Sequence, residues 1–337
     1  MQNLIRENVR NLAPYSSARD EYKGLDGIFL DANENPFGEQ NRYPDPYQRK
    51  LKAVIAEKWG IPADQLFLGN GSDEVIDLVF RVFCNPKEDK VLTFSPTYGM
   101  YEVSAAVNNV EMIHVPLTAD FQIDFQSLEK VLEENSVKVI FICSPNNPTG
   151  NLLKNIERIF EIFNGIIVID EAYIDFSQEK SWALQVQQYP QLIVSRTLSK
   201  ARGLAGVRIG AAVANPEIIA WLNKVKPPYN ISSLNQEYAL KVLENDDFFE
   251  KSVKIILEER QKLISELSRL SFVKKIFPTD ANFVLIEVDD AQKTYDFLAE
   301  KQIVIRNRNK QIANTLRITI GSPKENEKLI KALQSFV

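Results

Sequence analysis

The sequence predicts an α/β protein with a mainly parallel central sheet flanked by helices, joined to a smaller α+β domain. Three observations predict it. Between residues 65 and 215, short β-branched runs alternate with stretches of helical periodicity, the pattern of successive βαβ units. A long helical stretch then leads into a shorter tail of strands and helices. With 337 residues the chain is also longer than one core usually organises, so two domains are expected.

Taken in order, residues up to about 27 are polar, lack clear periodicity and are assigned to an N-terminal arm packing on the small domain or on a partner subunit. Residues 28–230 are assigned to the large domain. Its expected strands are Val91–Phe94, Glu111–Val115, Val139–Cys143, Ile166–Asp170, Leu192–Ser195 and Arg208–Val213, each short and commonly bounded by Asn, Pro, Gly or Asp. Expected helices are Ser72–Phe83, Pro96–Ala106, Phe125–Glu134 and Leu153–Phe163. Residues 231–337 form a linking helix and the small domain. Ile231–Leu270 reads as helix broken near Asn245–Asp247, and Phe249, Val253, Ile256, Leu263, Leu267 and Leu270 give it an apolar stripe that Arg260 interrupts. Strands Asn282–Val288, Ile303–Arg306 and Leu316–Ile320 follow, with helices Ala291–Lys301 and Glu325–Phe336.

Composition excludes several classes. Hydrophobic residues make up 45% and charged residues 25%, as in ordinary soluble globular proteins. A net charge of -5 gives no general attraction to nucleic acid or anionic membrane, so neither is an expected partner. No apolar stretch approaches the roughly 20 residues of a spanning helix, and the start is too polar for a signal peptide. Cys84 and Cys143 show no CxxC spacing and are expected as small buried residues in a reducing compartment, with the cytoplasm as the expected location. The single histidine, His114, sits at a strand end far from every motif; no metal site is expected.

Four segments carry chemistry. Arg196-Thr197-Leu198-Ser199-Lys200-Ala201-Arg202-Gly203 follows an apolar strand and reads as a turn at its carboxyl end, where open α/β sheets bind ligands. Two hydroxyls, Thr197 and Ser199, and the nearby Arg208 suit a phosphate beside an amine nucleophile. Taken alone, Lys200 would read as a surface lysine. Ile167-Val168-Ile169-Asp170-Glu171-Ala172-Tyr173 ends a strand on a carboxylate, which is either a helix cap or a partner for a protonated ring nitrogen. Such a pair at 4 Å is worth about 4 kcal/mol at an effective dielectric of 20. Ser144-Pro145-Asn146-Asn147-Pro148-Thr149-Gly150 is a turn able to aim the Asn147 amide at a polar ring substituent. Gly69-Asn70-Gly71-Ser72-Asp73 precedes a helix, whose first N–H groups can hold a phosphate.

In this order the four segments resemble the fold-type I pyridoxal-phosphate (PLP) aminotransferases over nearly the whole chain. Finer features resemble the histidinol-phosphate aminotransferases: Pro14-Tyr15, Leu30-Asp31-Ala32-Asn33-Glu34-Asn35-Pro36, Asn41-Arg42-Tyr43-Pro44-Asp45, Pro96-Thr97-Tyr98-Gly99-Met100-Tyr101, Pro228-Tyr229-Asn230 and Leu316-Arg317-Ile318-Thr319.

The resemblance implies a PLP cofactor held as a Schiff base by Lys200, which also moves the proton at the substrate α-carbon. It implies that Asp170 pairs with the pyridine nitrogen, that Tyr173 and Asn147 hydrogen-bond the ring 3-oxygen, and that Tyr98 stacks on the ring. Gly71, Ser72, Asp73, Thr197, Ser199 and Arg208 would surround the cofactor phosphate, and Tyr43 would reach that phosphate from the neighbouring subunit of a homodimer. Arg317 would clamp the substrate anion and Arg306 would add a second positive charge, with Tyr15 and Asn33 lining the pocket. One guanidinium fork can pair with either a phosphate or a carboxylate, so it can serve both histidinol phosphate and glutamate or 2-oxoglutarate. Two alternatives share the scaffold: an aromatic amino acid aminotransferase and a threonine-phosphate decarboxylase. A PLP-binding transcription regulator would carry an extra N-terminal DNA-binding domain, whereas the aminotransferase pattern begins by about residue 14. Arg202 departs from the bulky apolar residue usual at its position, and its role is left open.

Overall fold

The computed structural model describes residues 2–15, 22 and 27–336; much of the second half of the expected N-terminal arm lies outside the described residues. In chain order the strands are β1 (Leu66–Asn70), β2 (Lys90–Ser95), β3 (Glu111–Pro116), β4 (Val137–Cys143), β5 (Ile166–Asp170), β6 (Leu192–Thr197), β7 (Ile209–Ala214), β8 (Val273–Ile276), β9 (Phe283–Val288), β10 (Arg306–Asn307) and β11 (Thr315–Thr319). Contacts group the chain into two compact units of interleaved segments. One holds Met1–Asp89, Ser104–Glu111 and Trp182–Asn245; the other holds Lys90–Val103, Met112–Ser181 and Asp246–Val337.

In the first unit the strand order is β1-β7-β6, with β7 antiparallel to both neighbours. Every residue of β6 and β7 is buried; β7 is made only of apolar and small residues, while β6 also buries Arg196, whose guanidinium lies over the Trp59 ring at 4.1 Å. Helix Ser72–Phe83 buries Val75, Ile76, Val79 and Phe80. Helix Pro216–Val225 starts where the Asn215 side chain accepts the Glu217 N–H at 3.0 Å, with proline in the first turn.

In the second unit the order is β5-β4-β2-β3, and β2, β4 and β5 are parallel. Cys143 pairs in register with Asp170, so β4 and β5 end at one level. A separate antiparallel sheet runs β10-β11-β9-β8. Leu263 and Leu267 of the 22-residue helix Asp246–Leu267 join Val284, Ile286, Leu316 and Ile318 in its core. Ile256, Leu263, Leu267 and Leu270 of the apolar stripe read from the sequence belong to that packed face, while Phe249 and Val253 do not. Arg260 leaves the stripe to donate to the Ala281 carbonyl at 2.8 Å.

The α/β class and the break before Asp246 are as expected, while several boundaries differ for identifiable reasons. Leu153–Phe163 contracts to Glu157–Ile162, because the N–H groups of Leu152, Leu153 and Lys154 donate instead to Asp280, Ser144 and Gln122 side chains at 3.0, 3.1 and 2.9 Å. Pro96–Ala106 becomes Met100–Val107, since the Pro96 carbonyl accepts the Asn146 amide rather than a helical N–H. Strand Ile303–Arg306 gives way to Arg306–Asn307, because the Ile303 N–H closes the preceding helix onto Leu298 at 2.9 Å. Helices Arg49–Trp59 and Pro216–Val225 and strands β1 and β8 were not expected. β1 carries Gly69 and Asn70, and β8 carries two exposed lysines, so neither has a strong strand pattern.

Candidate active site

The expected site residues fall into two sets, one in each unit. In the first unit, β1 ends in Gly69-Asn70-Gly71, and Gly71 caps helix Ser72–Phe83 with a φ of +80° and no side-chain cap bond. Helix-terminal N–H groups without a side-chain cap suit an anion. Glycine is required here on both sides of the approach. A Cβ on Gly210 of β7 would lie 2.1 Å from the Ser72 nitrogen, and one on Gly71 would lie 2.6 Å from Arg208 Nη2. Asn230 braces the turn, donating to the Leu68 carbonyl at 3.0 Å and to Glu74 Oε2 at 2.9 Å.

Arg208 takes left-handed backbone geometry (φ +55°), unusual for a residue with a side chain. Its Nη2 lies 3.4 Å from Asp73 Oδ2 in a half-exposed pair, which contributes little stability and leaves the guanidinium available to a ligand. Between β6 and β7 the chain makes the turn that carries Ser199 and Lys200. The Ser199 N–H donates to Thr197 Oγ1 at 3.1 Å, Leu198 N–H reaches the Ile209 carbonyl at 3.0 Å, and Gly203 N–H closes onto the Lys200 carbonyl at 3.1 Å. Leu198 and Ala201 are buried while Lys200 is exposed. Gly71, Ser72, Asp73 and Arg208 thus lie together around one helix terminus. Arg202 is half-buried in the same turn.

Elsewhere in this unit, Tyr43 stacks on Tyr229 with ring centroids 4.4 Å apart. Both border a cavity of about 450 Å³ that Asn33 also lines. Tyr15 is 70% exposed and is not among the residues lining that cavity.

In the second set Asn147, Asp170 and Tyr173 are buried, Tyr98 and Arg317 half-buried. Asp170 is 2% exposed; its Oδ2 accepts the Tyr101 hydroxyl at 2.8 Å and its Oδ1 the Ala172 N–H at 3.2 Å. Tyr101 is fully buried, stacked on Phe141 at 4.9 Å and edge-on to Tyr98 at 5.7 Å. Burial, and then the Asp170 charge, raise its phenol well above the ordinary range, so it stays a donor.

The Ser144–Gly150 turn is pinned by Asn146, whose amide donates to the Pro96 carbonyl at 2.9 Å and Thr149 Oγ1 at 2.8 Å, while its oxygen accepts Thr97 Oγ1 at 2.8 Å. Next to it, Asn147 Oδ1 accepts from Arg317 Nη1 and, at 3.3 Å, from Arg308 Nη2. Arginines only donate, so the amide orientation is settled: the oxygen is engaged and the NH2 is available to another acceptor. Arg317 also lies over the Phe283 ring at 5.1 Å, and Tyr173 meets that ring edge-on at 5.1 Å. Burial first, and the nearby Cys143, push the Tyr173 hydroxyl up, while Arg317 opposes them. Arg306 pairs across the ladder with Arg317 and is exposed.

Tyr98, Asn147, Asp170, Tyr173, Arg306 and Arg317 therefore all belong to this unit. Sequence reasoning missed two residues in it. Tyr101 stands in the Pro96–Tyr101 segment that carries the resemblance, but was given no role of its own. Arg308 stands two residues beyond Arg306, the spacing that returns an extended chain to the same face. His114 pairs with Glu102 at 2.6 Å, both exposed.

The family described as aminotransferase class I and II matches residues 20–333. Histidinol-phosphate aminotransferase of Flavobacterium psychrophilum is 52% identical, over 100% of this chain and 99% of its own. Among solved structures, histidinol-phosphate aminotransferase from Clostridium acetobutylicum superposes with a TM-score of 0.80 at 29% identity, over 88% of this chain and 90% of its own. That from Sinorhizobium meliloti, solved in complex with pyridoxal-5'-phosphate, gives 0.79 at 21% identity over 88% and 84%, a likeness of fold. The chain belongs to the class I and II aminotransferase family, among the histidinol-phosphate aminotransferases.

Proposed function

We propose that the chain catalyses the PLP-dependent, reversible transfer of an amino group between L-histidinol phosphate and 2-oxoglutarate in histidine biosynthesis, giving imidazole acetol phosphate and L-glutamate. The observation that carries this reading is the Asn147 amide, whose oxygen is held by arginines so that its NH2 is left for an acceptor such as the ring 3-oxygen. The uncapped helix terminus beside Arg208 supports a cofactor phosphate in the same way. When bound, PLP supplies an electron-withdrawing ring that stabilises negative charge at the substrate α-carbon.

The chain's own residues do the rest. Lys200 holds the cofactor covalently and moves the proton at the substrate α-carbon. Asp170, oriented by Tyr101 and the Ala172 N–H, keeps the ring nitrogen protonated. Asn147 and Tyr173 bind the ring 3-oxygen and Tyr98 packs on the ring. Gly71, Ser72, Asp73, Thr197, Ser199 and Arg208 surround the cofactor phosphate. Arg317 with Arg306 holds the phosphate of histidinol phosphate or a carboxylate of glutamate, and Tyr15 and Asn33 border the substrate. Tyr43 serves the neighbouring subunit of a homodimer, in the cytoplasm.

Purified protein loaded with PLP tests the reading in a 2-oxoglutarate-dependent assay with histidinol phosphate, phenylalanine, tyrosine and threonine phosphate. Histidinol phosphate is expected to give the highest kcat/KM, with one glutamate formed per turnover. Preference for an aromatic amino acid, or carbon dioxide released without glutamate, would overturn it.

A further inference from the structure

Arg308 belongs to a cluster of arginines that no carboxylate pairs with among the described residues. Arg306 and Arg317 face each other across the β10–β11 ladder, and Arg308 shares the Asn147 oxygen with Arg317. The charged groups acting on Arg308 are Arg317 and Arg306, and Arg306 also acts on Arg317; no carboxylate is among them. Burial, and then these like charges, bring the Arg308 guanidinium down to about 10. The Nε atoms of both Arg308 and Arg317 are buried without a hydrogen-bond partner. Buried donors left unmet are unfavourable, and together with the uncompensated charge of the cluster they suit an acceptor brought by a ligand.

Resting on the function proposed above, we infer that Arg308 is a specificity-determining residue, which selects a phosphomonoester dianion over a carboxylate at this end of the substrate. One guanidinium fork satisfies a carboxylate, with its two oxygens and single charge. A phosphate ester carries three acceptor oxygens and close to two charges at neutral pH, with a second pKa of about 6. The further guanidinium at Arg308 supplies what only the dianion can use. With a monoanion, part of the repulsion between Arg308 and the neighbouring Arg317 and Arg306 stays uncompensated.

The test compares the holoenzyme with its Arg308→Gln and Arg308→Lys variants, measuring kcat/KM for histidinol phosphate and for glutamate, together with calorimetric binding of inorganic phosphate and of acetate. Arg308→Gln is expected to lower kcat/KM for histidinol phosphate roughly 10-fold more than for glutamate, as loss of one charge-assisted contact implies. It should weaken phosphate binding and leave acetate nearly unaffected, and the phosphate difference should shrink as pH falls through the second ionisation of inorganic phosphate. Arg308→Lys, which keeps the charge, should restore most of the preference. Equal losses for both substrates, or a phosphate affinity indifferent to Arg308, would overturn the inference and leave Arg308 as a support for Asn147. A wild-type enzyme inactive on histidinol phosphate would instead overturn the function itself.

Discussion

The two units hold their share of the chemistry in opposite ways. In the first, Lys200 is exposed on a turn, Arg208 is half-exposed, and the geometry is set by backbone and by glycines that let β7 lie against the Gly71–Ser72 peptide. In the second, Asp170, Asn147 and Tyr173 are buried, and each is fixed by side chains from distant parts of the sequence. A residue that only has to reach a ligand can stand outside the core. A buried carboxylate or amide must be fully hydrogen-bonded, so its function and its folding share the same contacts. Chemistry should be separable from stability in the first unit and inseparable in the second.

Three substitutions probe that contrast, and a fourth tests a buried charge outside it. The largest effect is expected for Lys200→Ala: amino transfer falls by roughly 10³-fold or more, and borohydride no longer traps the cofactor on this chain. Unfolding of the apo-protein should shift by no more than about 0.5 kcal/mol, as for an exposed side chain. A large loss of apo stability would break the comparison, and trapping on another lysine would displace Lys200 from its role.

Asp170→Asn should lower kcat by about 10²–10³-fold. It should also destabilise the apo-protein in denaturant titrations, because the Tyr101 hydroxyl and Ala172 N–H lose a charged acceptor. Stability equal to wild type would contradict the second half of the contrast. Tyr101→Phe is expected to be milder, with kcat down roughly 10-fold and stability reduced by about 1.5–3 kcal/mol, the worth of a buried hydrogen bond to a charged group. A change in activity with no change in stability would show that Asp170 does not need its phenol partner in order to fold.

The smallest effect concerns a buried charge outside both sets. Burial, with Lys226 second, lowers Lys52 from 10.5 to about 8, against the opposing pull of Asp45. Its folded value lies below its unfolded one, so the unfolded chain binds more protons between those limits and stability rises with pH from about 8 to 10.5. Lys52→Met should raise stability at pH 7 by about 1 kcal/mol and flatten the melting temperature across that window. An unchanged pH slope would show that Lys52 stays charged when folded.

Much of this was legible before any coordinates. The β-branched run ending at Asp170, the two prolines around Asn147 and the glycines beside Ser72 are local patterns, and the structure contains the strand, turn and helix start that they imply. Tyr101 and Arg308 were not legible. Their partners lie 69 and 161 positions away along the chain, beyond the reach of any local periodicity. The shortened helix after Gly150 has the same origin, since its first N–H groups are taken by Asp280, Ser144 and Gln122.

The sequence by itself determined the class of fold, the order of the chemical segments and the family, because these follow from local residue patterns repeated along the chain. Only the tertiary structure decided which way the Asn147 amide faces, what holds Asp170, and that a third guanidinium stands beside Arg317. The reason is physical: a hydrogen bond acts over about 3 Å, and which distant side chains come within that reach is settled by how sheets and turns pack.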